Sequence, residues 1–343
     1  MPSESLCWFH TPGPQNFIKK VCNALIGRDS AWIEGAVSWD EEFRSTVKDE
    51  LSTLDGEINV EFIDASILDE SLDAAGLIQC YDDIVGRNYL PAMDLCEFLN
   101  KNKILNNTIL WLYHVDRATD RKWIEFSKSL AKQTTTVKLV CEGTIISGSS
   151  KHIETFCQEQ FLTLFDYLLF AMVLIQDASW GTDLKVYACR LAINMAGNRA
   201  EKIAQLLSRR SLLVSDPLCC AKEVDLCEDS VRLENAVRVA QLMSLLPKVE
   251  LLRNAFVSKI SDRLDGVLPY TDDYGNTVEK PQDLELRHIV YLDGCGKIVL
   301  DQEERQHLRF LHTIRNDLSH GKNVDGNTAS LCLEYRAVSV KRA

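Results

Sequence analysis

The sequence predicts two architectures in tandem: an α/β domain built on a parallel sheet over residues 1–145, then an all-α region with one small β-hairpin over residues 151–343. Three observations lead there. Short apolar runs alternate with amphipathic stretches as far as residue 145, the rhythm of a parallel sheet with helices on both faces. The stretch from Gly143 to Ser150, Gly-Thr-Ile-Ile-Ser-Gly-Ser-Ser, then breaks the pattern and reads as a linker. Beyond it, apolar residues recur at spacings of three and four, the helical period.

In the first region, Leu6 to His10 reads as a strand, Gln15 to Ile26 as a helix and Ala31 to Ala36 as a second strand. Ser38 is placed to cap a helix with Glu41 at the capping-box position, and Phe43, Val47, Leu51 and Leu54 form its buried stripe. Asn59 to Ile63 is the next strand. A helix follows from about Asp82 to Leu99, with Pro91 as a kink or break. Thr108 to Val115 is a strongly apolar strand, Asp120 to Lys132 a helix, and Thr136 to Cys141 the last strand.

In the second region, helices are expected over 153–177, 182–209, 217–227, 230–246 and 249–264. Ser215-Asp216-Pro217 and Asp229-Ser230 mark two of the starts. Gly266 to Gln282, with its prolines, glycines and acids, reads as a long exposed loop. His288–Leu292 and Lys297–Leu300 flank Asp293-Gly294-Cys295-Gly296, a hairpin signal. A last helix starts near Asp301 and ends at about residue 320. Leu308, Leu311, Ile314 and Leu318 share one face of it, and Gly321 stands where glycine commonly stops a helix.

Composition is that of an ordinary globular protein, 46% hydrophobic and 26% charged over 343 residues. The twelve cysteines include no C-x-x-C pair; Cys219, Cys220 and Cys227 form the only cluster, so neither a metal nor a cofactor is expected. The acidic start Met1-Pro2-Ser3-Glu4-Ser5 lacks a basic n-region, and the most apolar stretch, Phe161 to Ile175, is interrupted by Asp166. A cytoplasmic protein with no membrane partner is therefore expected. A net charge of −12 argues against broad non-specific nucleic-acid binding. The charge is uneven: residues 1–150 hold 14 Lys/Arg against 23 Asp/Glu, while Arg287, Lys297, Arg305, Arg309, Arg315 and Lys322 gather near the last helix with four of the seven histidines.

That helix carries the most informative stretch, Arg315-Asn316-Asp317-Leu318-Ser319-His320-Gly321. An always-charged guanidinium can hold a phosphate and stabilise its developing charge, and an imidazole titrating near neutrality can move the proton. The stretch resembles the R-[polar]-x-x-x-H signature of the HEPN superfamily, helical domains common in prokaryotic toxins, phage-defence effectors and RNA-cleaving enzymes. The resemblance covers the last third of the chain and implies a metal-independent endoribonuclease, in anti-phage defence or a toxin–antitoxin system. It implies an RNA substrate, a homodimer, and room for a protein partner such as a regulatory ATPase or an antitoxin. Carried over, Arg315 would bind and polarise the scissile phosphate, His320 would act as general base or acid, and Asn316 would orient one of them. The bland alternative is that Arg315 and His320 satisfy carbonyls at a helix C-terminus, where cations are favoured.

The first region resembles a P-loop NTPase of the AAA-like kind. Leu6 to Pro14 stands where a phosphate loop would be, and Ile109 to Asp116 resembles a Walker B segment. The loop is degenerate: Pro14 removes a donor, and Gln15-Asn16-Phe17 replaces the glycine, lysine and hydroxyl that phosphates and magnesium need. Arg117 follows Asp116 in place of a water-activating Glu. No NTPase activity is expected. The second function class is thus a non-catalytic regulatory or scaffold subunit, with a pseudo-NTPase domain and a dimerising helical domain.

Overall fold

The computed structural model of the chain describes residues 3–27, 30–67, 94–102, 105–116, 120–132, 137–143, 153–197, 199–226, 229–272 and 275–335. It divides into two compact units, Met1–Phe170 and Ala171–Ala343. The division lies well past the expected 145–151 boundary, because the chain returns to the first unit as a strand before the helical region begins. Most of the expected linker, and the helix expected from Asp82 as far as residue 93 with its Pro91, lie outside the described residues.

Strands β1 (Ser30–Glu34), β2 (Asn59–Asp64), β3 (Thr108–Val115), β4 (Lys138–Gly143) and β5 (Ile153–Cys157) form one five-stranded sheet in the order β2-β3-β4-β1-β5. Every neighbouring pair is parallel, as the strand–helix rhythm predicts. Trp32, Ile33, Leu110, Trp111, Leu112, Leu139 and Val140 are buried along the three inner strands. Such unbroken apolar runs are what a strand covered on both faces requires. The helices of this unit are α1 (Glu4–Phe9), α2 (Pro12–Ile26), α3 (Asp40–Leu54), α4 (Leu95–Asn102) and α5 (Asp120–Lys132), and the chain leaves the unit within α6 (Leu164–Leu174).

Three expectations in this unit are corrected. Of the expected strand Leu6–His10, Leu6–Phe9 is helical in α1 and His10 is its C-cap: Ser3 caps the start by accepting the Leu6 amide, and Trp8 stacks on Tyr167 with ring centres 5.2 Å apart. A four-residue apolar run does not distinguish strand from buried helix, and here the aromatic packing decides. Residues 153–157, expected to open a helix, form edge strand β5, which pairs residue by residue with β1 and buries Ile153 and Phe156. Ser38 does not cap α3. Trp39 holds the N-cap with φ 49°, and the Ser38 amide donates to Gln158 Oε1 at 3.1 Å.

The second unit contains α7 (Thr182–Ala196), α8 (Ala200–Ser208), α9 (Arg210–Ser215), α10 (Pro217–Glu223), α11 (Ser230–Lys259), α12 (Ser261–Asp265), α13 (Leu286–Gly294), α14 (Gln302–Ser319) and α15 (Gly326–Glu334). The stretch expected as one helix over 182–209 is broken at Gly197, whose φ of 65° suits glycine. Conversely, α11 runs through Pro247, where a break between two helices was expected. Pro247 has no N–H to give the Met243 carbonyl; Arg190 Nη1 gives it one instead, at 2.5 Å.

The small hairpin exists but not where the Asp-Gly signal places it. Strands β6 (Tyr270–Thr271) and β7 (Thr277–Val278) pair within the expected long loop, while residues 286–294 are helical. Glu285 and His288 close a reciprocal cap on α13, with the Glu285 amide donating to His288 Nδ1 at 3.2 Å. Asp293 is engaged by Arg305 rather than by a hairpin turn. Ile289 and Leu292, three apart, are buried at helical spacing.

Candidate functional site

Two places carry the expected chemistry, one in each unit. In the sheet, the connection from β1 leads one way, to β2, and that from β4 leads the other way, to β5. The topological switch point is therefore at the carboxyl ends of β1 and β4, where open α/β sheets receive ligands. The segment expected as a phosphate loop, Leu6–Pro14, does not reach this point from a strand, since it lies in α1 and the start of α2. At the N-terminus of α2 a carboxylate already stands. Asp166 is buried; its Oδ1 accepts the Gly13 amide at 2.7 Å, and its Oδ2 accepts the Thr163 amide and hydroxyl.

The loop that does follow β1 is Gly35-Ala36-Val37-Ser38-Trp39, with one glycine and no lysine. Its helix, α3, opens with Asp40, Glu41 and Glu42, so the helix dipole is met by carboxylates of the chain itself. Behind them the switch point is filled. Glu142, buried at the end of β4, accepts from Arg44 at 3.0 Å and from the Trp111 indole at 2.7 Å; Arg44 also reaches Asp40 at 3.1 Å and lies over the Tyr113 ring. Burial pushes the Glu142 carboxyl above the ordinary carboxylate range, against the opposing pull of Arg44. Asp116 follows β3 and is exposed. This arrangement can hold the strand ends together. Among the described residues it offers a nucleotide phosphate neither a lysine nor a glycine-rich cradle.

In the second unit the motif lies on α14, which starts and ends as expected. Asp301 and Glu304 form a capping box at its start. At its end Gly321, φ 71°, donates to Leu318 and Lys322 donates to Asp317, the paired bonds that close a helix with a left-handed glycine. The three motif side chains do not converge. Arg315, half-buried, faces two carboxylates: Glu250 at 3.5 Å from Nε and Glu285 at 4.0 Å from Nη1. Asn316 Nδ2 lies 3.3 Å from His312 Nε2, one turn earlier, and among the described residues it bonds neither Arg315 nor His320. His320 is the exposed C-cap, its amide donating to the Asn316 carbonyl at 2.9 Å.

Sequence reasoning missed His312, Glu250 and Glu285. His312 was discoverable, since it sits four residues before Asn316 on the same face. Burial lowers its pKa and the nearby Arg315 lowers it further, which suits a neutral ring accepting from an amide. Glu250 and Glu285 come from other helices, and no spacing announces them. Both are already engaged, Glu250 with Arg253 at 2.8 Å and Glu285 with Arg287 at 2.9 Å.

Among the described residues, no group of three His, Cys, Asp or Glu stands together as metal ligands, and no helix is long and apolar enough to cross a membrane. Burial pushes the thiols of Cys141 and Cys189 up to about 12, far from a reactive thiolate. No family model matches the chain, and no curated protein does. Among solved structures the chain is similar to the crystal structure of Cdc6p from Pyrobaculum aerophilum. The identity is 14% and the TM-score 0.41, over 94% of this chain and 93% of that one. A likeness at that level leaves the functional question to the sites themselves.

Proposed function

We propose that this chain is a non-catalytic regulatory or scaffold subunit, with a nucleotide-silent pseudo-NTPase domain joined to a dimerising helical unit. The observation that carries the reading is the acidic first turn of α3. Asp40, Glu41 and Glu42 stand where a phosphate would need backbone N–H groups and a lysine. The motif helix supports the same reading. The Arg315 guanidinium is flanked by Glu250 and Glu285, carboxylates that an RNA phosphate brought to it would also meet.

The second reading is an HEPN-like ribonuclease carried by Arg315, Asn316 and His320. One observation favours it: His320 is exposed at the helix end, open to a substrate, with Lys322 beside it and the Arg238 guanidinium against Gly321.

Two assays on the purified full chain separate the readings. With ATP and magnesium, hydrolysis is expected to stay at background. No melting shift is expected either, although a ligand at a hundred times its Kd would stabilise the fold by about 2.7 kcal/mol. Turnover that Asp116→Ala abolishes would sink the pseudo-NTPase reading. With total RNA or tRNA under chelator, wild type and His320→Ala are both expected to leave the RNA intact. Cleavage lost in both Arg315→Ala and His320→Ala, with folding retained, would hand the function to the ribonuclease reading.

A further inference from the structure

Helix α11 buries one side against its neighbours through Leu245, Val249 and Leu252, yet its other side is apolar as well. Val239, Leu242, Met243 and Leu246 are 46%, 36%, 44% and 36% exposed. Their spacings of three, one and three put them on a single stripe. A stripe of this kind along the middle of a 30-residue helix is the pattern of a surface awaiting a partner.

The charges at its two ends say which partner. Arg232, near the start of α11 with its guanidinium donating to the Met195 carbonyl at 3.0 Å, lies about two turns before Val239, and Glu250 lies about one turn after Leu246, so both fall on the stripe's side of the helix. We infer that two copies of this chain pair through this face of α11, the helices running antiparallel about a two-fold axis level with residue 241. In that register Val239 of each copy lies opposite Met243 of the other, and Leu242 lies close to the axis. Arg232 of each copy lies opposite Glu250 of the other. A two-fold contact must be self-complementary, and this face is: apolar at its centre, with a cation at one end matched by a carboxylate at the other. A foreign partner would have no need of that symmetry.

The pairing reaches the motif helix. Glu250 is the carboxylate that faces Arg315 and accepts from Arg253, so a second copy's Arg232 would join the same ionic cluster. The inference rests on the scaffold reading in that it names the surface by which the helical unit dimerises. Nucleotide and RNA assays test that reading, whereas the experiment below tests only the contact, so either can fail alone.

The test is sedimentation velocity of the full chain over a concentration series. Wild type is expected to dimerise with rising concentration. Leu242→Glu/Leu246→Glu, which alters exposed positions only, should weaken the dimer at least about tenfold while leaving the helical circular dichroism unchanged. Arg232→Glu alone and Glu250→Arg alone should each be monomeric, and an equimolar mixture of the two should pair again, because one ionic contact is then native and the other is restored with reversed sign. A wild type that stays monomeric to roughly 100 µM, or a dimer indifferent to Leu242→Glu/Leu246→Glu, overturns the proposal. Failure of the charge-reversed pair to associate, with Arg232→Glu still dimeric by itself, overturns the antiparallel register.

Discussion

Arg44→Ala is expected to destabilise the chain by about 3–5 kcal/mol, the cost of leaving a buried charge without its partner. That is a large part of the total stability of an ordinary domain, roughly 5–15 kcal/mol. The Arg44 and Glu142 side chains are only 9% and 8% exposed, so neither water nor salt can replace the lost bond. The Trp111 indole alone would then hold Glu142. Urea unfolding followed by circular dichroism measures the loss. Adding Glu142→Gln should recover part of it, since an amide oxygen still accepts from Trp111 and carries no charge to desolvate.

Acidity gives the same pair a signature. Burial raises the Glu142 carboxyl above its ordinary 4.5 in the folded chain, so folding favours its protonated form. That contribution is fully present below the unfolded pKa and is lost as pH rises through the folded one. Without Arg44, which pulls the value down, the carboxyl rises further. The Arg44→Ala penalty should therefore be largest near neutral pH and shrink on acidification. A penalty equal at pH 4 and pH 7 would mean that Glu142 is not the group left stranded.

Glu304→Ala is expected to cost about 2–4 kcal/mol and to loosen the motif helix from its start. The Glu304 side chain is 4% exposed and receives both Arg263 nitrogens at 2.8 Å, Lys259 at 3.1 Å and the Asp301 amide at 3.0 Å. It thus ties α11, α12 and the N-terminus of α14 together. The Arg263 bonds, working against burial, hold its carboxyl down at about 2 from an ordinary 4.5. Here the sign is reversed. The stabilisation is present above 4.5 and is lost as pH falls from there through about 2. Glu304→Gln keeps an acceptor for the Asp301 amide but removes the charge. Its deficit should be clear in unfolding curves at pH 7 and close towards pH 2; a deficit unchanged at pH 2 would show that packing, not charge, is what Glu304 supplies.

Much of the fold was legible because local pattern and tertiary burial agree. The strand Thr108–Val115 and the helix Asp120–Lys132 fall where alternation and apolar periodicity place them, and α14 begins at its Asp301 cap and stops at Gly321. The misread elements are those where local signals tie. Leu6–Phe9 is a short apolar run, and Ile153-Glu154-Thr155-Phe156-Cys157 has apolar residues three apart; both fit strand or helix, and contacts distant in the sequence, Trp8 with Tyr167 and β5 with β1, chose between them. Pro247 reads as a break only until Arg190, 57 positions earlier, supplies the missing donor.

The candidate site divides in the same way. By itself the sequence determined that the first region is an α/β domain, that Gln15-Asn16-Phe17 stand where a phosphate loop would need glycine, lysine and a hydroxyl, and that Arg315, Asn316 and His320 share the end of one helix. Those are properties of residue identity and local spacing. Only the tertiary structure decided that the switch point is closed by Arg44 and Glu142, that Asn316 turns to His312, and that Arg315 faces Glu250 and Glu285. The partners of a charge come from wherever the chain folds back, and a guanidinium's availability to a phosphate depends on carboxylates that no motif places beside it.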